Sequence, residues 1–231
     1  MIIVRKADNR GLSHINWLKS YHTFSFGEYY DPNFIGFGNL RVINEDKVQP
    51  GKGFGTHSHQ DMEIISYVVE GLLEHKDSMG TGSIIKPGEI QKMSAGLGVS
   101  HSEFNHSKND IVHFLQIWII PNKLGISPSY EQKTIPTSKI NELILIGSTQ
   151  GGANIVTIHQ DVDLYVAYIT KGNSIKHIFK RNSGWLQLIK GQIEVNGNLL
   201  LPGDGAAIQD EPTVEIKCIE GAECLLFDLA S

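Results

Sequence analysis

Along most of the chain, apolar and polar residues change places every one or two positions, in short runs closed by turn residues. "LRVINED", "EIISYVVEG", "SIIKPGE", "VHFLQIWII", "DLYVAYIT", "GWLQLIKGQIEV" and "VEIKCIEG" are rich in Val, Ile, Tyr and Trp and are separated by Gly, Pro, Asn or Asp. That is strand patterning. Helical spacing stands out only in "SKINELILI", residues 138–146, where Ser138 could cap a short amphipathic helix. Many short strands with regular turns predict an all-β sandwich or barrel.

A repeat divides the chain. "GSIIKPGEIQKMSAG" (82–96) and "NGNLLLPGDGAAIQ" (196–209) each follow an apolar run and each carry Pro-Gly-acid ahead of another strand. Two copies of one β module are expected, joined across about residues 121–152, with the division placed at 1–130 and 131–231. The histidines are not repeated. His57, His59 and His101 have no counterpart in the second copy, which offers only His159 and His177 at unrelated places.

Composition narrows the function. The chain has 231 residues, 19% of them charged, and a formal net charge of −5. Such an acidic balance speaks against direct nucleic-acid binding, which usually needs a basic patch. The N-terminal "MIIVRKADNR" is too charged for a secretory signal, and no apolar run is long enough to span a bilayer. A cytoplasmic location is the expectation. The two cysteines, Cys218 and Cys224, lie in strand-like runs on either side of a turn expected at Gly221 and Ala222, and read as buried thiols.

The chemistry begins in "GFGTHSHQDMEII", residues 53–65. In an extended chain alternate side chains share a face, so His57 and His59 aim at one spot. A lone His-x-His on a strand is commonly an ordinary surface pair. Here "GLGVSHSEFNH" adds His101 and Glu103 at the same spacing. Two strands, each presenting two ligand-type groups on one face, make a metal site the better reading. Three imidazoles and a carboxylate suit iron, nickel, copper, manganese, cobalt or zinc. Four ligands leave open coordination positions, the mark of a catalytic site. Glu63 rivals Glu103 for the fourth place, because it shares the face of His59 if the strand runs unbroken.

"GTHSHQDMEIISYVVEG", "GSIIKPGEIQKMSAGLGVSHSEFN", "FSFGEYYDPNFIGFGNLRVINED" and "HKDSMGTG" resemble, in order and over about residues 24–104, the pirin family of the cupin superfamily, and within it the bacterial pirin-like quercetinases. The resemblance implies a bicupin, two facing jelly-roll-type β-barrels, with one divalent transition metal, iron first, held only in the N-terminal barrel. Its His-x-Glu pattern assigns the ligands as His57, His59, His101 and Glu103, whereas the general cupin pattern would take Glu63. The implied activity is ring opening of a flavonol such as quercetin with dioxygen, releasing carbon monoxide. Glu103 would serve as general base, and aromatic residues of "FSFGEYY" could wall the entrance. Two alternatives stand beside it: a redox-responsive regulator that binds a protein partner, and another metal-cupin reaction on a small molecule. Neither a nucleic-acid nor a membrane partner is expected.

Overall fold

The computed structural model describes residues 1–181 and 183–230. Strands β1 (Ile2–Arg5), β2 (Gly11–Ile15), β3 (Leu18–His22), β4 (Leu40–Val48), β5 (Gly53–His59), β6 (Glu63–Glu70) and β7 (Leu73–Asp77) open the chain. They are followed by β8 (Gly82–Ile85), β9 (Glu89–Ser94), β10 (Val99–Asn105), β11 (Val112–Ile119) and β12 (Ser129–Thr134). The second half holds β13 (Leu143–Ser148), β14 (Val156–Thr157), β15 (Val162–Ile169), β16 (Ser174–Ile178), β17 (Ser183–Val195), β18 (Asn198–Leu200), β19 (Gly205–Gln209) and β20 (Thr213–Leu229).

These strands make two modules. The first stacks a 7-stranded sheet, β12-β9-β6-β11-β4-β3-β2, on a 4-stranded sheet, β5-β10-β7-β8. The second is a 9-stranded sheet built on β1-β19-β17-β20-β15-β13-β14. The patterning therefore gave the right class. Among the described residues no helix is long and apolar enough to cross a membrane.

Three local expectations need correction. The helix expected over 138–146 is absent: Pro136 accepts a turn hydrogen bond from Lys139, Asn141 takes a left-handed φ of 60°, and Leu143–Ser148 is strand. The alternation of buried Ile144 and Ile146 with less buried neighbours decides this, since "LILI" fits a period of two as well as a helical stripe. The turn expected at Gly221 and Ala222 is absorbed into β20, which runs unbroken through both cysteines, each a buried free thiol. The module boundary is also crossed from both sides. The first strand pairs antiparallel with β19 of the second sheet, Ile2 opposite Ile208, whereas β12 pairs with β9 of the first.

One apolar cluster binds the modules face to face. Ile65, Tyr67 and Ile117 of the first pack with Leu164, Trp185 and Phe227 of the second. This explains why "EIISYVVE" in β6 is almost wholly buried, for one of its faces meets the neighbouring module and the other looks into its own barrel. The barrel interiors differ. That of the second module is filled by apolar side chains such as Leu186, Leu188, Ile193, Ile208 and Leu226. The first has, among the described residues, two small apolar clusters, around Phe114 and around Met93. Asn44, Asp46, Ser66, Glu103 and Gln116 are buried polar residues of the same module.

Candidate metal centre

The site is built on a cross-strand pair. Strands β5 and β10 run antiparallel with His57 opposite His101 and Val99 opposite His59. His59 lies two residues from His57 and shares its face. Beyond His101 the register shifts, so that Glu103 stands opposite Phe54. Gly53 lets the strands approach there, because a Cβ at that position would collide with the carbonyl oxygen of Glu103.

The three imidazoles converge. Ring centroids are 4.8 Å apart for His57 and His59, 4.5 Å for His57 and His101, and 5.0 Å for His59 and His101. One ligand atom from each lies within 4.8 Å of the others. Nδ1 of His57 donates to the Gly55 carbonyl at 2.8 Å, which in the neutral ring leaves Nε2 bare, 3.1 Å from Nε2 of His101. Nε2 of His59 is buried without a hydrogen-bond partner among the described residues. A buried nitrogen with nothing to bond is costly unless something else meets it. These donors fit a divalent transition metal.

The electrostatics agree. Burial first, and then the neighbouring His57, hold His59 down to about 4. Burial and the three surrounding histidines hold His101 down to about 3. Both rings are therefore neutral near pH 7, the form that ligates a metal.

Glu103 is placed differently. Its carboxylate joins His101 and His75 in a second group of converging ligand atoms, to which His57 and His59 do not belong. The Ser66 hydroxyl donates to Oε1 at 3.1 Å, and Gln116 Nε2 donates to Oε1 at 3.1 Å and to Oε2 at 3.0 Å. Burial pushes this carboxyl up to about 7, opposed by the Ser66 and Gln116 hydrogen bonds and reinforced by nearby Asp46.

The rival acid lies elsewhere. Between His59 and Glu63 the strand is broken at Asp61, whose φ is 48°, so the shared face is lost. Glu63 Oε2 instead accepts from the backbone N–H of His159 at 3.1 Å and lies 3.2 Å from its Nδ1, which ties the first module to the second. Sequence reasoning missed His75. It is fully buried, with Nδ1 3.4 Å from Nδ1 of His101 and Nε2 3.0 Å from Asp77 Oδ2. The i, i+2 pair His75 and Asp77 carried the same spacing signal as the other two pairs.

His57 and His59 open onto a cavity of about 440 Å³. Leu18, Phe26, Phe54 and Trp118 give it apolar walls, while Ser20, His22, Asn44, Asp46, Glu103 and Gln116 supply polar groups. Of the aromatics in "FSFGEYY", Phe26 lines the cavity. Phe24 belongs to the cluster between the modules, its ring 4.8 Å from that of Trp185, and Tyr30 is exposed.

Comparison with known proteins accounts for both modules. The Pirin family model matches residues 4–119, and that of the quercetinase C-terminal cupin domain matches residues 145–229. The chain belongs to the pirin family. It is 46% identical over 230 residues to a protein of Escherichia coli K12 named quercetin 2,3-dioxygenase, with 99% of each chain covered. It superposes on the crystal structure of YhhW from Escherichia coli with a TM-score of 0.95 and 45% identity, covering 99% of this chain and 97% of that one. The bacterial pirin YhhW in complex with nickel(II) gives a TM-score of 0.95 and 44% identity, over 100% of this chain and 99% of that one. The bicupin architecture of this pirin follows from the paired modules and these neighbours.

Proposed function

We propose that this pirin is a metal-dependent dioxygenase that opens the ring of a flavonol such as quercetin and releases carbon monoxide. The observation that carries the reading is the convergence of three imidazoles, one with a buried unpartnered nitrogen and two of them at the wall of a cavity with apolar aromatic sides. Its volume of about 440 Å³ falls in the range of small-molecule sites. The relative named quercetin 2,3-dioxygenase supports the substrate class.

His57, His59 and His101 would hold the metal, with Glu103 as the fourth ligand or beside it. Iron is the metal proposed first, and nickel(II), bound by the Escherichia coli relative, suits the same donors. Bound there, such a metal supplies a Lewis-acid centre that favours the deprotonated form of a flavonol's hydroxyl. The chain's own groups do the rest. Phe26, Phe54 and Trp118 offer flat surfaces to an aromatic ring and exclude water. Glu103, pushed up to about 7, can take the hydroxyl proton near neutral pH, while Ser66 and Gln116 hold its carboxylate in place. The second module, with its filled interior, is proposed to hold no metal and to bury one side of the first.

Oxygen consumption and carbon monoxide release, followed together with quercetin and metal-loaded protein, test the reading. Equal molar amounts of the two gases are expected. Absence of both with every divalent metal named above would overturn it and move the protein-binding regulator ahead.

A further inference from the structure

The cavity wall formed by the larger sheet carries a band of polar side chains. On β4, Asn44 and Asp46 are two residues apart and point the same way. Cross-strand pairing sets Ser20 opposite Asp46, His22 opposite Asn44, and Gln116 opposite Asn44 from the other side. All five line the cavity.

His22, Asn44 and Gln116 in this band have partners. His22 bonds through Nε2 to the Ser13 hydroxyl at 2.8 Å and through Nδ1 to Asn44 Oδ1 at 2.8 Å, and Gln116 is engaged with Glu103. Ser20 faces Asp46 across the β3–β4 pair. Asp46 Oδ1 is the exception, a buried carboxyl oxygen on the cavity wall with no hydrogen-bond partner among the described residues. Only 4% of the residue is exposed, so the group is built into the barrel and is not a chance surface acid.

The rest of the lining limits what could meet that oxygen. Among the described residues no Lys or Arg lines the cavity, and the acids that do are Asp46 and Glu103. Beside these acids a carboxylate or phosphate group of a ligand would meet no lysine or arginine to balance it. A neutral aromatic hydroxyl has the missing donor and suits the apolar walls. Resting on the flavonol reading above, we infer that Asp46 accepts a hydrogen bond from a ring hydroxyl of the substrate other than the reacting one. It thereby sets a preference for polyhydroxylated over unsubstituted flavonols. Asp46 is here a specificity-determining residue, and removal of its acceptor should affect one ligand class and spare the other.

The test is equilibrium binding without oxygen, using metal-loaded protein with quercetin and with 3-hydroxyflavone, which lacks the other ring hydroxyls. The parent is expected to favour quercetin by about tenfold, the scale of one hydrogen bond made to a buried polar group. Asp46→Leu should erase that preference while leaving 3-hydroxyflavone affinity and metal content within about twofold of the parent. Asp46→Ala carries the same comparison if the leucine variant does not fold. Equal affinity of the parent for both flavonols, or equal weakening of both in the variant, overturns the inference. Selective binding without turnover leaves Asp46 in its role and sinks the dioxygenase reading, and a parent that binds neither flavonol removes both.

Discussion

His75 stands directly behind His101, with the two Nδ1 atoms 3.4 Å apart and the far side of His75 held by Asp77 at 3.0 Å. Tyr130 packs against the His75 ring with centroids 5.0 Å apart. A chain of carboxylate, imidazole and imidazole fixes the orientation and tautomer of the innermost ring, as groups behind metal-binding histidines commonly do. His75→Phe keeps the ring and its contact with Tyr130 but removes both nitrogens. Metal affinity, measured by competition with a chelator, should fall about 10- to 100-fold with the fold intact. Unchanged affinity would reduce His75 to packing.

Glu103 and His59 should separate turnover from metal retention. Glu103→Gln keeps the shape but removes the basic carboxylate, and Gln116 must turn its amide to meet the new one. Most of the metal should remain while flavonol turnover falls about a hundredfold or more. His59→Ala should lose metal and turnover together. Parental turnover by Glu103→Gln at matched metal content would end the general-base role.

Metal stoichiometry separates the modules. One ion per chain is expected, lost from the His57→Ala, His101→Ala double variant. Near-stoichiometric metal in that variant would mean that ligands lie outside the first barrel.

Acid stability should depend on Glu45, which bonds to Arg10 at 2.7 Å and to His113 at 2.9 Å. Burial raises its carboxyl, but the His113 hydrogen bond and Arg10 outweigh this and hold it at about 2, against 4.5 for the free group. The unfolded chain therefore takes up this proton first as the solution is acidified. The stabilisation is complete above about pH 4.5 and is lost as the pH falls toward about 2. Glu45→Gln should lower the melting temperature at neutral pH and flatten its decline over that acid range. A parallel decline in both proteins would contradict this.

The site was legible where spacing alone carries geometry. His57 with His59, and His101 with Glu103, need only strand periodicity to share faces, and the absence of matching histidines from the second repeat pointed to one module. What escaped depended on pairing across long sequence separations. Nothing local in "IIVR" says that β1 will join β19, and nothing in "DMEII" says that Glu63 will reach His159. The short apolar run "LILI" fits either period, and its neighbours in the sheet settled it as strand. His75 was hidden by its local setting, for "EHKD" reads as a charged turn until burial against His101 gives it a role.

The most direct measurement of the central claim is isotopic. Metal-loaded protein is given quercetin under ¹⁸O₂, and the ring-opened product is analysed by mass spectrometry. Both atoms of the labelled dioxygen should appear in that product, with unlabelled carbon monoxide released from the ring, as a dioxygenase requires. Product carrying oxygen from water, or only one labelled atom, would contradict the assignment.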